Sequence, residues 1–217
     1  MPLSCSLLLA ALLAAPPASP PEVATPSGGE VPAGPPAAWF NAGDWRTGAA
    51  LGLELGTGDH GFSATRFQLD AETTLGRLAP RATYGVVVSL GLLHAGGDET
   101  VPLPPLGQAQ LTWAANLFEL VPAGRVTFAM SPTVWLHADA GLGLAWTAGG
   151  GSVQVAGLGK VTAVSEGLAA VVRVAGGLTF APSPDVRIGA ELVGFNLRFG
   201  DGVGSTYTLM LAASHRL

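Results

Sequence analysis

His137 and Asp139 stand two residues apart in the stretch HADAG, and a histidine beside a carboxylate is half of an acid–base relay. The other half would be a nucleophile, and none is assigned. His60, His94 and His215 are the remaining histidines, with Ser89 and Ser214 as candidate hydroxyls, and no convergent arrangement joins them to the pair. No His or Cys spacing suggests a metal site. The run GLGLAWTAGGG is rich in glycine but has neither a G-x-G-x-x-G fingerprint nor a phosphate-binding lysine. The expectation is therefore no catalytic residues, no cofactor and no metal, with His137 and Asp139 serving to pair charge inside a fold.

The elements that hold that pair explain why. TVWLHADAGLGLAWT alternates at period 2, the pattern of a β-strand. Val134, Leu136, Ala138, Ala140, Leu142, Leu144 and Trp146 take one face, and His137, Asp139, Gly141, Gly143 and Ala145 take the other. Eight such segments follow one another, at about 46–56, 62–74, 82–94, 115–130, 134–147, 168–180, 186–199 and 205–217. An even number of antiparallel strands closes on itself and returns to the side where it began. Two places strain the count. Segment seven changes phase between Leu192 and Val193, which reads as a β-bulge or a slip of register, and Pro122 removes an N–H from segment four.

Composition decides which way the faces point. Charged residues are 12% of the 217 and mean hydropathy is +0.43, against roughly 25% charged in an ordinary soluble domain. A soluble sandwich or lipocalin-like barrel would need a charged, wetted exterior that this chain has little material to build. With the apolar faces outward, the inward set comprises Arg46, Arg66, Arg125, Arg173, Arg187 and Arg216 with Glu54, Asp70, Glu72, Glu119, Asp139 and Glu191, and His137 besides. Near-equal numbers on neighbouring strands allow every charge a partner, as a lumen with little water demands. Arginine suits fixed, two-pronged pairs better than lysine, and Lys160 is the only lysine. Inward Gly85, Gly91, Gly141 and Gly177 leave room for the long side chains. The lumen of an eight-stranded ring is just wide enough for side chains to fill.

The connections alternate in length. SPT at 131–133, APSPD at 181–185 and LGRLAPR at 75–81 read as turns at one rim, while Ala95–Ala114 and Thr147–Gly167 read as long loops at the other. Trp45, Tyr84, Phe128 and Phe180 fall toward the first rim, and Trp113, Trp146 and Phe199 toward the second, like two interfacial girdles. Ahead of the first strand, residues 1–18 read as a signal peptide around the apolar run Leu7–Ala15, and residues 19–44 as a Pro/Ala/Gly-rich linker. Residues 45–217 are then the barrel. Cys5, the only cysteine, lies in the leader, so the barrel needs no disulfide. A net charge of −5 without any basic run sets nucleic acid aside.

Alternation, loop asymmetry and a final strand running Tyr207, Leu209, Leu211, Ala213 to the last residue resemble the small eight-stranded outer-membrane barrels of Gram-negative bacteria, the outer membrane protein beta-barrel domain class. Leu217 stands where the class ends in an aromatic residue, and His215 interrupts the apolar side. The resemblance implies an all-β, eight-stranded antiparallel up-and-down transmembrane barrel in the bacterial outer membrane. It also implies lipid and lipopolysaccharide as surroundings and the barrel-assembly machinery as an insertion partner. Some barrels of this class modify lipid A, but the local His-x-Ser arrangement of the deacylase kind is missing here. The expected function is a structural or surface-exposed barrel with a charge-plugged interior and outer loops for contact. A narrow channel for small solutes, or a lipid A-modifying enzyme, are the alternatives.

Overall fold

The computed structural model describes residues 42–57, 62–104, 107–155, 159–200 and 203–217; the expected signal segment and nearly all of the expected linker lie outside them. Eight strands occur in chain order: β1 (Trp45–Gly56), β2 (Ser63–Ala79), β3 (Ala82–Leu103), β4 (Gly107–Ala129), β5 (Val134–Val155), β6 (Gly159–Phe180), β7 (Val186–Phe199) and β8 (Val203–Arg216). Each pairs antiparallel with its sequence neighbours, and β1 with β8, so the sheet closes into a barrel without an edge at membrane depth. Closure is what a bilayer requires, because no water is present there to satisfy an open strand.

Burial alternates along the strands as the sequence alternates. On β1, Leu51, Leu53 and Leu55 are exposed while Ala50 and Glu54 are buried. Leu142, Leu144 and Leu211, at 57–72% exposure, face outward in the same way. An exterior of leucine and valine around an interior of arginine and glutamate inverts the soluble plan, and it suits hydrocarbon outside. Trp45, Tyr84, Phe128 and Phe180 are exposed near the rim where the short turns lie, and Trp146 and Phe199 near the opposite rim. Phe118 stacks on Trp146 at 5.6 Å.

The bulge is where segment seven loses phase: the β7–β8 register jumps between Glu191 and Gly194, and the β6–β7 register shifts between Gly176 and Gly177. Leu192 and Val193 both point outward there. Pro122 keeps its pairing to Val88 on β3, while the β4–β5 ladder omits Val121 and Pro122, the gap expected next to a residue without an N–H.

Three expectations are corrected. Ala95–Ala114 and Thr147–Gly167 are not long loops but paired strand, up to Leu103↔Gly107 and Val155↔Gly159. Outside lipid both faces of a strand meet water, so nothing there imposes the alternation by which strands are read. Likewise 75–81 is mostly strand: β2 continues through two register irregularities to Ala79. Trp113 is not part of the outward girdle. It shares the inward parity of β4, and its indole lies over Gly97 on the projecting sheet.

Candidate functional site

The lumen holds the charged side chains in two groups. The first lies toward the rim from which the hairpins project. Glu54 comes from β1, Arg66 from β2, Glu119 from β4 and Arg198 from β7, so the four converge from widely separated staves. Arg66 Nη1 stands 2.8 Å from Glu54 Oε2 and 2.5 Å from Glu119 Oε2. Arg198 Nη2 closes the figure at 2.5 Å from Glu54 Oε1 and 2.5 Å from Glu119 Oε1. Two guanidinium groups and two carboxylates make a neutral square. Thr206 donates to Glu54 at 2.7 Å, and Asn196 donates to Thr206 at 3.4 Å. Glu54, Arg66 and Glu119 have side chains with no exposure at all. Gly91 makes this possible: a Cβ there would sit 2.5 Å from Arg66 Nη2. Small clusters of apolar side chains lie near the square, one of Ala64, Leu93 and Ala95 and another of Val121, Ala145 and Val171.

The second group lies toward the turn rim and is looser. Arg125 grips Asp139 with two parallel bonds of 2.7 Å, the fork-on-carboxylate geometry that arginine favours. The same guanidinium is ion-paired with Glu72, which also accepts from Arg187 at 2.6 Å. Arg187 stacks on Trp135 at 4.5 Å from the ring centroid. Beside them Arg173 donates to Glu191 at 2.6 Å and to Asn196 at 3.2 Å, and Asn196 thereby links this group to the square. A cavity of about 70 Å³ opens among Arg46, Asp70, Glu72, Arg125, His137 and Arg187. At 10–15 Å³ for each water, that is room for about five waters.

Not every expected interior charge joins an ion pair. Arg46 donates instead to the backbone carbonyls of Pro184 and Asp185, tying β1 to the β6–β7 turn. Asp70 accepts from Gln68 at 2.8 Å and Ser89 at 2.6 Å. His137 meets the Thr179 hydroxyl at 3.2 Å rather than Asp139, whose oxygens are taken by Arg125 directly across the β4–β5 ladder. Among the described residues no histidine is hydrogen-bonded to both a hydroxyl and a carboxylate, the middle place that a hydrolytic relay gives it: His94 meets Asn116 and His137 meets Thr179. Among the described residues no group of three His, Cys, Asp or Glu could hold a metal ion. Arg216 bonds Asp44 at 2.8 Å at the turn rim.

One member escaped the reading of the sequence. Arg198 completes the square, yet strict alternation from Arg187 and Glu191 would point it into lipid. The extra residue at Leu192–Val193 reverses the parity, so Gly194, Asn196 and Arg198 turn inward. The phase change between Leu192 and Val193 is legible in the sequence, and Arg198 lies five residues beyond it.

No family model matches the chain, and no curated protein does. Among solved structures, Neisserial surface protein A (NspA) is 11% identical over 80% of this chain and 97% of its own, with a TM-score of 0.51. The attachment invasion locus protein Ail of Yersinia pestis is 17% identical over 82% of this chain and 100% of its own, with a TM-score of 0.49. The N-terminal β-barrel domain of OprF from Pseudomonas aeruginosa is 12% identical over 79% and 97%, with a TM-score of 0.35. At such identities a likeness speaks to fold, and NspA carries it. The closed ring, the lipid-facing belt and that likeness make the chain an eight-stranded antiparallel up-and-down transmembrane β-barrel of the bacterial outer-membrane kind.

Proposed function

We propose that the protein is a non-catalytic outer-membrane barrel whose lumen is closed by interlocked charge and whose projecting strands are its working surface. The observation that carries this reading is the square of Glu54, Arg66, Glu119 and Arg198, anchored on four staves and holding three side chains of zero exposure. A permeating ion would have to part at least one of these pairs and leave a charge unmatched, a step of several kcal/mol in a dry lumen. The turn-side cavity has room for waters, and none of the square's four side chains lines it. The short turns and both strand ends near Trp45 and Arg216 then face the periplasm, as in other barrels of this architecture, and the long hairpins face outward among lipopolysaccharide.

Single-channel recording in planar bilayers tests the reading. Protein whose folded state is verified by its heat-dependent gel mobility is expected to show no steady conductance. A stable ohmic step from the wild-type chain would favour the alternative, a narrow channel for small solutes, and would remove the plug from the account.

A further inference from the structure

Above the girdle the barrel is lopsided. β2 leaves β3 at Thr65↔His94, and β7 meets β6 only from Ala170↔Phe199. Between those limits β3, β4, β5 and β6 stay paired to one another well beyond the ring. The outcome is a four-stranded sheet standing on one side of the rim, with two edges that no other described strand pairs. Its β3 edge, AGGDETVPL, carries Asp98, Glu99 and Pro102, devices that discourage an added strand. Its β6 edge, GKVTAVSEG at 159–167, has no proline, and residues 159–166 are exposed on both faces. Val161 and Val164 are 72% and 83% exposed. They stand above Leu168, which pairs with Trp146 of the girdle, so lipid does not cover them.

The charges on this edge are self-complementary. Lys160 and Glu166 lie three residues either side of Ala163 and share one face of β6. Within the barrel they face Gln154 and Ala148 across β5, neither of which is a countercharge. An antiparallel strand of the same sequence centred on Ala163 would set Lys160 opposite Glu166 at one end and Glu166 opposite Lys160 at the other. Thr162 would face Val164, and Val161 would face Ser165. Directly opposed residues on one face of an antiparallel pair are the ones that interact.

We propose that the β6 edge pairs antiparallel with the same edge of a second copy standing in a facing membrane, joining two four-stranded sheets into one of eight strands. Orientation selects the facing membrane. Two copies in the same bilayer share one polarity, so their β6 edges run in the same direction, and in-register pairing would set lysine beside lysine and glutamate beside glutamate. Inverting one copy gives both the antiparallel ladder and the matched charges. One such contact is small, but a membrane presents many at once, and simultaneous contacts multiply. The inference rests on the reading above only in taking the hairpins to face outward; it is independent of whether the lumen is closed.

The test uses the protein refolded into phosphatidylcholine vesicles, with insertion verified by heat-dependent gel mobility and clustering followed by light scattering. Wild-type vesicles are expected to cluster. K160E vesicles and E166K vesicles are each expected to stay dispersed, because each variant opposes like charges to itself. A mixture of the two variant populations is expected to cluster again, because each then offers the charge the other lacks. Dispersed wild-type vesicles with inserted protein would overturn the proposal, as would single variants that cluster like wild type or a mixture that stays dispersed. Recruitment of protein-free vesicles would show that the sheet binds lipid instead, and would also overturn it. Conductance recorded from the same preparation reports on the plug alone, so the two readings fail separately.

Discussion

The two charge groups of the lumen use the same residue types and differ in how much water reaches them. In the square, Glu54, Arg66 and Glu119 have no exposed side-chain surface and Arg198 has 11%. In the turn-side group Arg125 is 22% exposed, Glu72 13% and Arg187 10%, around a cavity with room for water. A buried ion pair contributes little net stability by existing, since desolvation offsets most of the attraction, but losing one partner strands the other. A charge stranded in the square falls back on the remaining members and on Thr206, whereas the turn-side group borders a cavity from which water can substitute for a lost partner. On the proposed reading the first serves as the barrier and the second as an adaptable lining with room for water.

The largest expected effect follows from removing one guanidinium from each. Arg66→Met leaves Glu54 and Glu119 leaning on Arg198 alone and is expected to lower stability by about 3–5 kcal/mol. Arg125→Met leaves Glu72 with Arg187 and opens Asp139 to cavity water; here about 1–3 kcal/mol is expected, the scale of an unsatisfied group that water partly rescues. Urea unfolding in lipid vesicles checks both, and equal losses would erase the distinction. The double variant Arg66→Met with Glu119→Leu leaves Glu54 and Arg198 as one neutral pair, so it is expected to recover part of the single-variant loss, a coupling that a double-mutant cycle reads directly.

A second pair of expectations concerns conductance. Replacing all four members of the square by serine removes the barrier while keeping polar walls, and an ohmic step is expected in planar bilayers. Replacing Glu72, Arg125, Asp139 and Arg187 by serine enlarges a cavity that the square still blocks, and no step is expected. A step from the second variant and none from the first would place the constriction in the wrong group.

How much of this was written in the sequence depends on what surrounds each residue. Where lipid lies outside and charge inside, alternation is enforced at every position, and β1, β7 and β8 stand in the chain almost where periodicity places them. Where β3–β6 leave the membrane the enforcement stops. The glycines at 149–151 and the polar run at 98–100 pair as regular strand without announcing it. Inside the lumen, residue types and parity mark which side chains are available, but partners are set by register and by what lies across the ring. Asp139 is two residues from His137 in sequence, yet Arg125 stands opposite it and takes it. Arg198 shows the sharper limit: one inserted residue moves every later side chain to the other face.

The smallest expected effect compares two glycines, one on each side of the sheet. Gly91 lies against the square, and a methyl there would press Arg66 Nη2 at 2.5 Å and Glu119 Oε2 at 3.4 Å. An arginine end usually yields, but this one is enclosed and held by two carboxylates, so Gly91→Ala is expected to be destabilising by about 1–3 kcal/mol, the usual scale of overpacking. Gly124 is on the outward face, and its added methyl would meet nothing nearer than the Ala140 carbonyl at 4.0 Å. Gly124→Ala is expected to be neutral or to stabilise by up to about 1 kcal/mol, because alanine restricts the unfolded chain and adds a methyl to the lipid-facing surface. The midpoint of heat-dependent gel mobility ranks the two. If Gly91→Ala matched Gly124→Ala, the square would have slack to move, and its role as a rigid barrier would lose its physical basis.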